Sequence, residues 1–206
     1  MPRPRKTPAE MQAMRERILD TAYAILEESG PNAITSRSIA ERLGMAHMSL
    51  FTYFDNQAAI ISALRGREMA RWQHRLAENA ARAQREDIRQ VVRKHLTFYT
   101  ELARENPNLY YLAWVAPEES EEHRLAQRVQ MMEIVEGLAV LLELGMAEGA
   151  FARRDALMAA ISVLGMVNVP NILYFSGKVL DPRVRDRMVA EMLPAAMLYL
   201  ETKKEG

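Results

Sequence analysis

The sequence contains no cysteine, which excludes disulfides and thiolate chemistry and suits a reducing, cytoplasmic setting. It also lacks the motifs that catalysis requires. There is no Gly-x-Ser-x-Gly elbow, no Walker-type phosphate loop and no histidine pair at metal-ligand spacing. The reading therefore calls for no enzyme activity, no metal and no cofactor. Charge of one sign is missing too: 27 basic residues balance 27 acidic ones, whereas a non-specific nucleic-acid coat protein would be basic. No uninterrupted apolar run reaches the roughly 18 residues of a membrane span. The basic start, Met1 to Lys6, is followed by no apolar signal core, so no membrane partner is expected. Glycine and proline are sparse, nine of each in 206 residues, and no alternating strand pattern with hairpin turns appears.

What remains is helical. Hydrophobic residues make up 49% and charged residues 26% of the chain, enough to bury a core without covalent staples. Apolar residues at helical spacing mark a helix from about Ala9 to the terminator Ser29-Gly30-Pro31, with Met14, Ile18, Ala22 and Ile25 on its face. A second starts at Thr35 or Ser36, each a plausible N-cap, and ends at Gly44. A third covers about Ala46 to Tyr53, and Asp55-Asn56 separates it from a fourth, about Gln57 to Arg82, striped by Ile60, Leu64, Trp72, Leu76 and Ala80. Further helices are expected over about 87–105, 119–144, 154–175 and 182–202, with Pro170 kinking the penultimate one. Asn106-Pro107-Asn108 ends the first of these, and the short aromatic segment Tyr110-Tyr111-Leu112-Ala113-Trp114 follows it. Gly145 and Gly149 punctuate a turn.

The chemistry concentrates between Thr35 and Phe54. Two short helices joined by a glycine turn in twenty residues form the compact unit of a helix-turn-helix, in which the first helix braces the second for the DNA major groove. Ile39, Ala40, Leu43, Met45, Leu50 and Phe54 read as inward. Ala46, His47, Met48, Ser49, Thr52 and Tyr53 read as outward.

The run TSRSIAERLGMAHMSLFTYFDNQAAII, residues 35–61, with RERILDTAYAILEESGPNAIT before it, resembles the tetracycline-repressor (TetR) family of regulators. The resemblance is specific over about residues 12–72. Beyond that it rests on length, helicity and the turn GMAEGAF at 145–151. It implies an all-α protein: a basic N-terminal arm over 1–11, a three-helix DNA-binding domain over 12–72 with its helix-turn-helix at 35–54, and a ligand-binding and dimerisation domain over 73–206. It implies a transcription regulator, a ligand-responsive repressor that binds a palindromic operator in double-stranded DNA as a homodimer. By position, Arg37, His47 and Met48 would reach bases. Thr35, Ser36, Ser49, Thr52 and Tyr53 would hold phosphates, beside Ala46. Two positions depart from the family: Phe51 stands where a tyrosine is usual, and Gln57 where a lysine would grip phosphate. Arg3, Arg5 and Lys6 could make up that grip from a minor groove.

The last two helices would pair with their copies. Alanines at 156, 159, 160, 190, 195 and 196 would permit close approach, and Leu157, Ile161, Leu164, Met188, Met192, Leu193 and Leu200 would supply burial. Eight of the fourteen methionines fall after residue 130, and methionine adapts to irregular apolar shapes. Tyr99, Tyr110, Tyr111, Trp114, Met131, Asn168, Asn171 and Tyr174 are the candidate lining of a pocket for an apolar or aromatic effector. The aromatic residues and the methionine read equally well as plain core, and the two asparagines as bonds across the dimer. The acidic run Glu118, Glu119, Glu121 and Glu122 reads as a favourable first helical turn. An all-helical ligand-binding or interaction protein without specific DNA binding is the alternative. It would leave the motif at 35–54 unexplained.

Overall fold

A computed structural model of the chain describes residues 7–82, 86–117 and 120–202, the side chains of 72 and 75–82 excepted. The basic arm at Arg3, Arg5 and Lys6, the side chains Trp72, Leu76 and Ala80, and Glu118 and Glu119 therefore lie outside the described residues. Among the described residues there is no strand. Eight α-helices follow one another among the described residues: α1 Pro8–Ser29, α2 Ser36–Leu43, α3 Gln57–Arg82, α4 Ile88–Glu105, α5 Pro107–Trp114, α6 Glu121–Ala147, α7 Ala156–Phe175 and α8 Pro182–Glu201. Short 3-10 turns lie at Pro31–Ala33 and His47–Thr52.

The helix ends follow from local chemistry. Thr7 and Glu10 close a capping box on α1, and Thr35 and Ser38 do the same for α2. Asp87, Asn106, Asp155 and Asp181 each accept a backbone N–H at the start of α4, α5, α7 and α8, satisfying donors that a first turn leaves free. Pro107 was expected to end a helix. Instead it opens α5, because a proline at the first helical position gives up an N–H that has no partner there anyway.

The chain forms two compact units. One comprises residues up to Glu68 together with Pro117–Arg124; the other comprises Met69–Ala116 and Leu125 onward. In the first, Ile18, Leu19, Ala22, Ile25 and Leu26 of α1 are buried with Ile34, Ile39, Ala40, Leu50, Phe54, Ile60 and Leu64. Each isoleucine, leucine and phenylalanine among them contributes about 1.5–3 kcal/mol by leaving water. Across this core, Arg67 of α3 reaches Asp20 at 2.8 Å and Glu16 at 3.3 Å on α1, and Glu68 at 2.9 Å.

In the second unit α7 packs against α8 and α4, and α4 also against α5. Val92, Leu96, Tyr99, Tyr110, Leu138, Leu142, Val163, Val167 and Leu200 form its centre. By length and composition α7 is apolar enough to cross a membrane, with a mean hydropathy of 1.8, and half of that window is buried inside the protein. Two of its polar interruptions, Asn168 and Asn171, are 2% exposed. Gly145, expected in a turn, lies inside α6. A Cβ there would sit 2.3 Å from Phe151 Cδ2, so the glycine is what lets the returning chain lay the Phe151 ring on the helix.

Candidate nucleic-acid interface and effector unit

The first unit holds the motif read from the sequence. Gly44 ends α2 in the left-handed conformation, φ 63° and ψ 34°, a region in which a side chain is strained. Its N–H bonds Glu41 O at 3.1 Å, and the Met45 N–H bonds Ala40 O at 3.0 Å. The second element, expected as an α-helix over 46–53, is a 3-10 turn over His47–Thr52. Its N-cap is Ala46, which offers no capping oxygen, and the segment closes by short bonds such as Ser49 N to Ala46 O at 2.8 Å.

That winding decides which side chains face out. At three residues per turn, positions i and i+3 share a face, so Tyr53, the C-cap of the turn, comes onto the side of Leu50. Leu50 is fully buried. His47 Nε2 and the Ser36 hydroxyl hydrogen-bond at 2.9 Å. Tyr53, expected outward at a phosphate, is instead 4% exposed, and its carbonyl accepts from Arg15. The Arg15 guanidinium also sits 4.0 Å over the Phe54 ring. Arg15 escaped the sequence reading because Tyr53 lies 38 residues away in the chain and Phe54 one further.

The remaining positions divide. Arg37, Ala46, His47, Met48 and Thr52 are exposed, Met48 by 70%. Thr35, Ser49 and Phe51 are half-buried, and Phe51 stands edge-on to the His47 ring at 5.4 Å. Ser36 is buried. Its N–H donates to Gln57 Oε1 at 3.1 Å, so Gln57 serves as a bridge between α2 and α3.

In the second unit the aromatic candidates meet. Tyr99 stands edge-on to Trp114 at 5.8 Å, and Tyr110 stacks on Trp114 at 6.1 Å and tilts against Phe175 at 5.4 Å. Tyr99 and Tyr110 are fully buried, and burial pushes both phenols above their ordinary pKa. The Tyr110 hydroxyl donates to Asn168 Oδ1 at 2.8 Å, and Asn168 Nδ2 donates to Leu164 O at 2.9 Å. Asn168 thus spends its amide oxygen and an amide N–H inside the chain itself. Tyr111, Trp114, Met131 and Tyr174 are half-buried, and Trp114 Nε1 has no hydrogen-bond partner among the described residues. His95 hydrogen-bonds the Tyr99 hydroxyl at 3.2 Å, and burial lowers its pKa to about 4.

The side chains expected to pair two copies of the chain divide. Leu164, Leu200 and Ala156, Ala159, Ala160 and Ala196 are buried within the chain itself, where α7 and α8 pack on each other. Leu157, Met158, Ile161 and Val169 of α7 and Val184 and Leu198 of α8 are exposed large apolar side chains on these helices, and Ala190 and Ala195 are exposed beside them.

Comparison with known proteins agrees with this architecture. Residues 18–64 match the family model described as bacterial regulatory proteins, tetR family. The tetracycline repressor protein class C of Escherichia coli is 38% identical over 50 residues, 24% of this chain and 23% of that protein. The aligned segment thus spans about a quarter of that relative's length. Among solved structures, a TetR/AcrR-family transcriptional regulator from Thermobifida fusca superposes with a TM-score of 0.69 at 20% identity, over 90% of this chain and 97% of that one. The regulator FadR from Bacillus subtilis, in complex with stearoyl-CoA, gives 0.71 at 16%, over 90% and 99%. These likenesses carry the fold, and residues 18–64 carry the similarity to the tetR family of bacterial regulatory proteins.

Proposed function

We propose that the chain is a DNA-binding transcription regulator, a repressor that grips a palindromic operator as a homodimer and releases it when a small molecule occupies the second unit. The observation that carries the reading is the exposed surface of the helix-turn-helix: Arg37, His47, Met48 and Thr52 face solvent from a scaffold whose Leu50, Ile39 and Ala40 are fixed in the core. An exposed arginine such as Arg37 suits guanine O6 and N7 in the major groove. Met48 can press on a thymine methyl, and Thr52 can bind phosphate. The Ser36 bond sets which edge of His47 is presented. Tyr53 and Ser36, being buried, position these side chains.

The apolar stripe Leu157, Ile161 and Val169 along α7 supports a two-fold interface, since residues four apart share a helix face, and a two-fold dimer matches a palindromic site. The half-buried Tyr111, Trp114, Met131 and Tyr174, with the unpartnered Trp114 N–H, support an apolar or aromatic effector that also accepts a hydrogen bond. That effector works by its differential affinity for two conformations. A protein of this kind would act in the cytoplasm.

The test is selection of duplex fragments from the source genome by the purified chain, followed by sedimentation of the complex at low and moderate salt. The reading expects a dimer on a palindromic fragment, and loss of selection when Arg37 and His47 are both changed to alanine. A chain that ignores duplex DNA at every salt concentration would instead be a helical ligand-binding protein.

A further inference from the structure

A separate cavity of about 400 Å³ opens within the second unit, inside the roughly 300–1,000 Å³ range of small-molecule sites. Its walls come from α4, α7 and α8, and their chemistry differs from that of the aromatic cluster. Asn171 of α7 lines it while being 2% exposed, and its Nδ2 has no hydrogen-bond partner among the described residues. A buried amide donor without an acceptor is costly, and a native protein keeps one where something else supplies the acceptor. From α8, Arg185 spends Nε and Nη2 on Asp186 at 2.9 and 2.6 Å and lies 4.6 Å over the Tyr174 ring. That leaves its Nη1 edge as a second donor.

The α4 wall is complementary. Thr97 donates its hydroxyl proton to Arg93 O at 2.9 Å, and Thr100 donates to Thr97 O at 2.7 Å. Both oxygens can then only accept. One turn on from Thr97, Glu101 stands exposed on the rim. Arg104, Arg185, Glu101 and Asp186 sum to zero charge, so the lining selects neither an anion nor a cation. α7 and α8 offer the Asn171 and Arg185 donors, with Asp186 already held by Arg185 at 2.6 Å; α4 offers the Thr97 and Thr100 acceptors and Glu101, with Arg104 held by Glu105 at 3.3 Å.

We propose that this cavity binds a small zwitterionic amino carboxylate, a ligand of the amino-acid class. Its carboxylate is taken by the Asn171 amide and the Arg185 guanidinium, and its ammonium by the Thr97 and Thr100 oxygens and Glu101. The site stands whether or not the chain binds DNA, and its test uses none.

The experiment is calorimetric titration of the full chain with the proteinogenic L-amino acids, one at a time at millimolar concentration. The best binder is then retested as its N-acetyl derivative and as its carboxamide. The proposal expects saturable binding of at least one amino acid, weakened at least about tenfold by either block, a loss of about 1.4 kcal/mol. Asn171→Leu, checked for native helicity by circular dichroism, abolishes binding. Glu101→Gln, at an exposed rim position that folding does not require, weakens the amino acid but leaves the weak binding of the N-acetyl derivative unchanged. Three results would overturn the proposal: no saturable heat with any amino acid, equal binding of the N-acetyl or carboxamide form, or full binding by a folded Asn171→Leu variant. Equal binding of the N-acetyl form would indicate a simple carboxylate site, and equal binding of the carboxamide an amine site.

Discussion

One substitution made at two places on α6 separates packing from helix propensity. Gly137 and Gly145 both lie inside this helix, where replacing glycine by alanine gains about 0.5–1 kcal/mol of backbone propensity. At Gly137, exposed, an added Cβ meets nothing within 4 Å. At Gly145 it would lie 2.3 and 2.5 Å from two ring atoms of Phe151 and 3.3 Å from Cγ. That ring cannot swing away freely: Phe151 is 4% exposed, and its own N–H bonds Gly145 O at 3.1 Å. Overpacking of this kind costs about 1–3 kcal/mol. Gly137→Ala is therefore expected to stabilise by about 0.5–1 kcal/mol and Gly145→Ala to destabilise by up to about 2.5 kcal/mol, the overpacking cost less the propensity gain.

Urea unfolding followed by circular dichroism, at one fixed protein concentration because association shifts apparent stability, reads both values. In thermal scans each kcal/mol moves the midpoint by about 2–4 °C at this chain length. Phe151→Leu in the Gly145→Ala background should recover part of the loss, since a smaller side chain admits the new methyl. Equal shifts of one sign at both glycines would refute the reasoning, because the two sites would then differ in nothing that the helix feels.

Three further outcomes follow from the same geometry. Tyr110→Phe strips the donor from the buried Asn168 Oδ1 and should cost about 1–3 kcal/mol in urea unfolding; the double variant with Asn168→Leu should cost less than the sum, and strict additivity would show that the bond contributes nothing. Gln57→Lys exchanges the Ser36 bridge for a cation at the start of α3. With one added phosphate contact per protomer, the slope of log K against log salt should steepen by about 1.8 for a dimer, which anisotropy titrations on the selected operator would detect; an unchanged slope would place this helix end off the backbone. His95 holds a pKa near 4 against an ordinary 6.5, so the unfolded chain binds a proton there that the folded chain refuses. Its contribution is present above about pH 6.5 and is lost as pH falls toward 4, up to about 3 kcal/mol; His95→Gln should flatten stability over that window, and an unaltered pH profile would remove His95 as the cause.

The parts that were legible in the sequence are those fixed by nearest neighbours. Thr35 with Ser38, Gly44, the apolar face Ile18–Ala22–Ile25 and the break at Ser29-Gly30-Pro31 each state a cap, a turn or a stripe within a few residues, and the helices stand where those signals put them. What the sequence concealed was winding and distance. An α-helical wheel sets Tyr53 about 60° from Leu50, at the edge of the buried face, whereas a 3-10 turn brings it into line with Leu50, and nothing in HMSLFT announces the tighter winding except the absence of a capping oxygen at Ala46. Leu164 and Leu200 fit an intermolecular stripe as well as an internal one, and only the packing of α7 on α8 decides between the two. Asn168 and Asn171 are the same residue type, three apart on one helix, and the sequence treats them alike. The fold places a phenol within 2.8 Å of one and leaves the amide nitrogen of the other unbonded among the described residues. A buried polar residue is therefore informative only after its partners are counted: Asn168 is satisfied and so belongs to the structure, whereas Asn171 is not, and it is there that a ligand has something to complete.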